Sequence, residues 1–205
     1  MEELDLLKKD WNKNNPFPQL QEMDIYKMLH KKSSSIVKWI LIISILEVTL
    51  WTAISFCFNT DEYLIKNHSE FMIPYFKVLT VVNFIVTAVF IYLFYKNYRT
   101  ISATNATKKL MADIVRTRRT VKYYVGYNLG MMVLSAISGF VMAIMVNPKI
   151  QELSHNTKAM VIAVIIMIVF LLIFFGVAAL FYYLIYGTLM KRLYRNYNEL
   201  KKIDL

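Results

Sequence analysis

The chain has 205 residues, 57% of them hydrophobic and 15% aromatic, with a formal net charge of +10. Soluble domains run at about 45–50% apolar residues, so the surplus calls for lipid around much of the chain. A single cysteine, Cys57, excludes a disulfide scaffold, and the apolar content excludes a disordered chain.

Four stretches are long enough to cross a bilayer, which takes about 20 mainly apolar residues in helical form. They run from about Ser35 to Phe58, Met72 to Tyr95, Tyr123 to Val146 and Met160 to Tyr186. None alternates with period two, as a barrel strand would. The first follows 34 largely polar residues and has no small-residue cleavage site, so it does not read as a cleaved signal. The expected fold is all-α: a polytopic membrane protein with four transmembrane helices as two hairpins, joined to cytoplasmic amphipathic helices. The segments are a tail (1–34), a first hairpin (35–95), a basic amphipathic linker (96–122), a second hairpin (123–186) and a basic C-terminal tail (187–205).

Orientation follows from the basic residues. Nineteen lysines and arginines fall in the first tail, the linker and the last tail, against three (Lys66, Lys149 and Lys158) in the other two loops. Short loops rich in Lys and Arg stay in the cytoplasm, which places both termini there. The net charge is then a matter of topology and anionic headgroups, and direct nucleic-acid binding is not expected.

The first tail divides at Asn14-Asn15-Pro16-Phe17-Pro18. Before it, Leu4, Leu7 and Trp11 recur at helical spacing; after it, Ile25, Met28 and Leu29 share one face of a second helix. That second helix either runs through Ser33-Ser34-Ser35 into the first span or breaks there. In the linker, Leu110, Met111, Ile114, Val115 and Val121 form a stripe opposite Lys108, Lys109, Arg116 and Arg119. It reads either as an interfacial helix or as a projection of the third span. The two halves also share a tyrosine-rich basic exit, Tyr95-Lys96-Asn97-Tyr98-Arg99 and Tyr194-Arg195-Asn196-Tyr197, a hint of a parallel repeat.

Ionisable residues at bilayer depth are costly and mark structural or functional sites. Glu47 lies twelve residues in from Ser35, near the midplane of the first span. Asn83 in the second span reaches a similar depth, and Lys77 lies nearer the outer face. A Glu47–Asn83 hydrogen bond or a Glu47–Lys77 ion pair would hold the first hairpin together. The alternative is a proton or cation site on Glu47. In the third span Gly126 and Gly130 form a GxxxG, followed by Ser135, Ser138 and Gly139. Small residues four apart admit close helix contact, within the bundle or with another chain.

Catalysis is not expected. The three histidines (His30, His68 and His155) fall outside the spans and on opposite sides, and no P-loop or nucleophile motif is present. No metal site and no cofactor follow from the sequence.

Three stretches look alike to one family: Ile25-Tyr26-Lys27-Met28-Leu29-His30-Lys31-Lys32 through Trp39, Lys108 through Leu129, and Arg195-Asn196-Tyr197-Asn198-Glu199-Leu200-Lys201-Lys202. Together they resemble a family of four-helix inner-membrane proteins from flavobacteria and other Bacteroidota. Members often carry the label of a beta-carotene 15,15'-monooxygenase, a propeller enzyme that holds iron with four histidines, which this chain does not have. The resemblance implies a bacterial inner-membrane location and an association with sigma factors of the extracytoplasmic-function type. An anti-sigma-like protein would dock its partner through the tail anchors Leu4, Leu7, Trp11, Ile25, Met28 and Leu29.

The expected function is therefore a non-enzymatic, membrane-tethered regulator or binding module, with a cytosolic protein such as a sigma factor on its tail. The alternatives are an accessory subunit of a larger membrane complex, or of a homo-oligomer, and a small transporter or channel using Glu47.

Overall fold

The computed structural model describes residues 22–57, 60–67, 69–104, 106–147 and 157–203. Among them every element is helical. Helix α1 spans Glu22–Cys57, α2 is the short Thr60–Lys66, and a single 3-10 turn (Glu70–Met72) leads into α3, Ile73–Ala103. Helix α4 spans Thr107–Val146 and α5 spans Thr157–Tyr182. A π-helical turn (Tyr183–Gly187) joins α5 to α6, Thr188–Ile203. Four stretches are long and apolar enough to cross a membrane: Glu22–Lys66, Glu70–Ala103, Thr107–Val146 and Thr157–Lys202.

The helices outrun the spans drawn from hydropathy. Ser33-Ser34-Ser35 does not interrupt α1, because Ser33 is buried and its hydroxyl accepts from Asn196 Nδ2 at 3.1 Å. The 96–122 stretch is not a separate linker. It contains no Gly or Pro, and residues 96–103 continue α3 while 107–122 begin α4. The third-span projection is thus what the stripe represents: Leu110, Ile114 and Val121 are buried, whereas Val115 is 41% exposed.

These extensions build a compact end rich in lysine and arginine, here called the basic end. Leu29, Val37, Ile101, Leu110, Ile114, Leu193 and Leu200 form one apolar cluster there, with Ile25 and Met111 packed against it. Polar ties close it. Tyr26 Oη donates to the Thr104 carbonyl (3.0 Å), and His30 Nε2 donates to the Ile101 carbonyl (2.7 Å). Thr104 Oγ1 also lies 3.2 Å from the buried Asp113 carboxylate. The Arg118 guanidinium sits 4.4 Å from the centre of the Tyr194 ring, a cation–π contact.

The two tyrosine-rich exits are used in the same register. Phe94, Asn97 and Ile101 are buried on α3 and Leu193, Asn196 and Leu200 on α6, at identical spacing. Each asparagine donates a hydrogen bond to a helix of the other hairpin, Asn97 to Thr120 of α4 (3.3 Å) and Asn196 to Ser33 of α1. This is the contact pattern that two parallel hairpins related by an axis along the bundle would produce.

Away from the basic end the packing loosens. A second cluster, Ile40, Phe94, Val121, Tyr124, Tyr182 and Tyr186, sits one layer further along. Beyond it, α5 exposes apolar side chains along its length, including Ile162, Ile166, Phe170, Leu172 and Ile173, as a lipid-facing helix does. At the far end a small cluster of Leu64, Met72 and Val146 joins the first hairpin turn to the end of α4.

Candidate functional site

Glu47 is the centre of a polar cluster that joins α1, α4 and the α5 helix with its π-helical extension. Neither partner expected from the sequence binds it. Lys77 instead meets Asp61 across the first hairpin turn (3.3 Å), and both side chains are largely exposed. Asn83 accepts from Tyr127 Oη at 3.2 Å. Glu47 accepts from three tyrosines: Tyr124 Oη on α4 at 2.8 Å and Tyr186 Oη at 3.1 Å, both to Oε2, and Tyr182 Oη to Oε1. Three phenol donors on two oxygens is the pattern of an acceptor-only carboxylate.

The helix geometry explains why these four residues meet. Tyr182 and Tyr186 are four apart, so a helix places them on one face. The π-helical turn that begins at Tyr183 widens the backbone between them, and both phenols then reach the same carboxyl group. The tyrosines also support each other: Tyr124 and Tyr186 rings pack edge-on at 5.7 Å, and Tyr182 stacks on Tyr186 at 5.9 Å. Phe90 and Phe94 of α3 pack against Tyr124 from the opposite side, with centroids at 5.5 and 5.3 Å. Tyr124 lies in the first half of α4, and Tyr186 in the π-helical turn that follows α5.

Above this cluster, on the side away from the basic end, lies a cavity of about 550 Å³. All four spans line it: Glu47 to Ser55 of α1, Phe76 to Thr87 of α3, Tyr124 to Ala136 of α4, and Phe174 and Tyr182 of α5. From Glu47 to Ser55 the wall rises about 12 Å at 1.5 Å per residue. The Glu47–tyrosine cluster is the floor. Asn83, Asn128, Thr52, Thr80 and Ser135 add polar atoms to the wall, while among the described residues no lysine, arginine, histidine or second carboxylate lines it. A concave, mainly apolar space of this size with a few convergent polar groups is the usual form of a small-molecule site.

The small-residue stripe serves differently from the packing expected of it. A Cβ placed on Gly126, Gly130 or Gly139 would meet nothing within 4 Å. No described helix approaches there, because α4 turns Tyr124 and Tyr127, and not the glycines, toward its neighbours. Ser138 is buried and shares a hydrogen bond with Tyr75 Oη (2.8 Å), and Ser135 faces the cavity.

The tail anchors separate into three groups. Leu29 and Ile25 are taken up by the cluster at the basic end, so they are not a free docking face. Met28 is 48% exposed. Leu4, Leu7 and Trp11 lie outside the described residues. Among the described residues no group of three His, Cys, Asp or Glu side chains could hold a metal ion.

The fold and site together define an all-helical chain with four membrane-spanning candidates and a polar-floored cavity between them. It belongs to the family described as Domain of unknown function (DUF8845), whose model matches residues 23–205. No curated protein and no solved structure matches the chain.

Proposed function

We propose that this is a non-enzymatic protein of the bacterial inner membrane that binds a small molecule in the cavity above Glu47, as a receptor or as one step of transport. Both termini and the basic end lie in the cytoplasm on this reading, by the distribution of Lys and Arg, and the cavity extends toward the outer face. The observation that carries it is a half-buried carboxylate held by three phenols at the floor of a cavity with polar walls. Structural glue between helices would need the hydrogen bonds but not the space above them. An intramembrane carboxylate beside an open cavity marks a binding or ion site.

Ala136 lines the cavity from α4, and Ala136→Phe narrows it while leaving Glu47 in place. Purified in mild detergent and examined by native mass spectrometry, the wild-type protein should carry a small molecule that Ala136→Phe has lost. An identical set of bound molecules in both would remove the reading.

A membrane-tethered regulator is a second reading, supported by the exposed Met23 and Met28 on the outward face of α1's first turns. It predicts that a cytosolic partner, such as a sigma factor, is recovered with the full chain and lost when residues 1–21 are deleted. Recovery unchanged by the deletion speaks against it.

A further inference from the structure

The cavity has one carboxyl group and many rings. Among the described residues Glu47 is the single carboxylate that lines it, and no lysine, arginine or histidine does. Trp51, Phe76, Phe84, Phe174, Tyr124 and Tyr182 surround the same space. Lys77, the nearest span lysine toward the far end, is already engaged with Asp61. The phenols of Tyr124, Tyr182 and Tyr186 orient the carboxylate by hydrogen bonds but carry no opposing charge.

Each feature selects against a different ligand. An anion would meet Glu47 with no cation to offset it. A bare metal ion would find one carboxylate and scattered hydroxyls, without the six to eight oxygens or the nitrogen and sulfur set that metals take. A purely apolar molecule would leave the carboxylate uncompensated in a medium of low dielectric. An organic cation satisfies both parts of the site. Its charge pairs with Glu47, and its substituents lie against aromatic rings, whose faces attract ammonium groups. Resting on the reading of this cavity as a small-molecule site, we infer that its ligand is a lipophilic organic cation, of the arylalkylammonium class. Glu47 supplies the counter-charge and Trp51, Phe84 and Phe174 supply the aromatic wall.

The test uses the full chain in lipid nanodiscs and radiolabelled benzyltrimethylammonium, with empty nanodiscs as background. Neopentylbenzene, which replaces the ammonium nitrogen by carbon at the same shape, is the competitor. Saturable binding of the cation is expected, with the isostere displacing it only at concentrations about tenfold or more higher. Glu47→Gln should weaken cation binding by about tenfold or more, and Glu47→Asp should recover part of it. Ser138→Ala, outside the cavity lining, keeps the charge and removes a hydrogen bond to Tyr75, so binding should persist. That variant separates loss of charge from loss of structure.

Displacement by the isostere at equal concentration, or cation binding unaffected by Glu47→Gln, overturns the assignment of a cation while leaving the cavity reading in place. Absence of saturable cation binding also overturns it. The cavity reading fails separately, if Ala136→Phe changes nothing in the molecules carried by the purified protein.

Discussion

Replacing Glu47 by Leu should lower the stability of the bundle by about 2–4 kcal/mol, because three buried phenol hydroxyls lose their shared acceptor at once. Tyr124 and Tyr186 are almost fully buried, so water cannot readily take the place of the carboxylate. The loss is measured by reversible unfolding in mixed micelles, followed by far-ultraviolet circular dichroism. A double-mutant cycle identifies its source. Tyr182→Phe should cost less in the Glu47→Leu background than in the wild type, with a coupling of about 1 kcal/mol. Costs that simply add would show that the tyrosines and the carboxylate do not act as one unit.

The second large effect lies at the opposite kind of surface. Leu193 of α6 is fully buried among Leu29, Val37, Ile101, Leu110, Ile114 and Leu200. Leu193→Ala should cost about 2–5 kcal/mol, the usual range for a truncated core leucine. The opposite face of α6 is charged, with Lys191, Arg192 and Arg195 exposed, so the truncation is read at a helix with one apolar and one charged side. Limited trypsin digestion reads the outcome directly, because a loosened α6 presents those three basic residues for cleavage. Val115→Ala, at a position 41% exposed on α4, is the control and should change stability by about 0.5 kcal/mol or less. Equal effects at the two positions would show that the cluster at the basic end is not a cooperative core.

The spans were legible because uninterrupted apolar runs have few physical alternatives. The stripe of Leu110, Ile114 and Val121 was equally plain, and so was the isolation of Glu47 in an apolar segment. Its partners were not legible. Tyr182 and Tyr186 close an apolar span at the place where tyrosines usually mark the membrane interface, and that ordinary role hid the other one. The available signal was their i, i+4 spacing, which aims two hydroxyls from one face of an otherwise apolar helix, together with Tyr124 on α4. Depth counting favoured Asn83 and Lys77, but depth alone does not fix which faces meet, and both residues found partners elsewhere. The glycines of α4 illustrate the reverse error: the spacing permits close packing, while the neighbouring side chains decide whether a helix comes near. The paired use of Asn97 and Asn196 was present in the repeated exit motif, yet its meaning needed the third dimension.

Cysteine accessibility along the cavity wall tests the account most directly. Thr52, Thr80 and Ser135 line the cavity, whereas Ile166 faces outward from α5 and is 63% exposed. Each would be changed singly to Cys in a Cys57→Ser background, and intact cells treated with a membrane-impermeant maleimide, which reacts only with a thiol that water can ionise. The account predicts labelling of the three wall positions, slowed in each case by the cavity-narrowing Ala136→Phe, and none at Ile166. Wall positions as unreactive as Ile166, or labelled only after the cells are broken, would contradict an outward-extending, water-accessible cavity above Glu47.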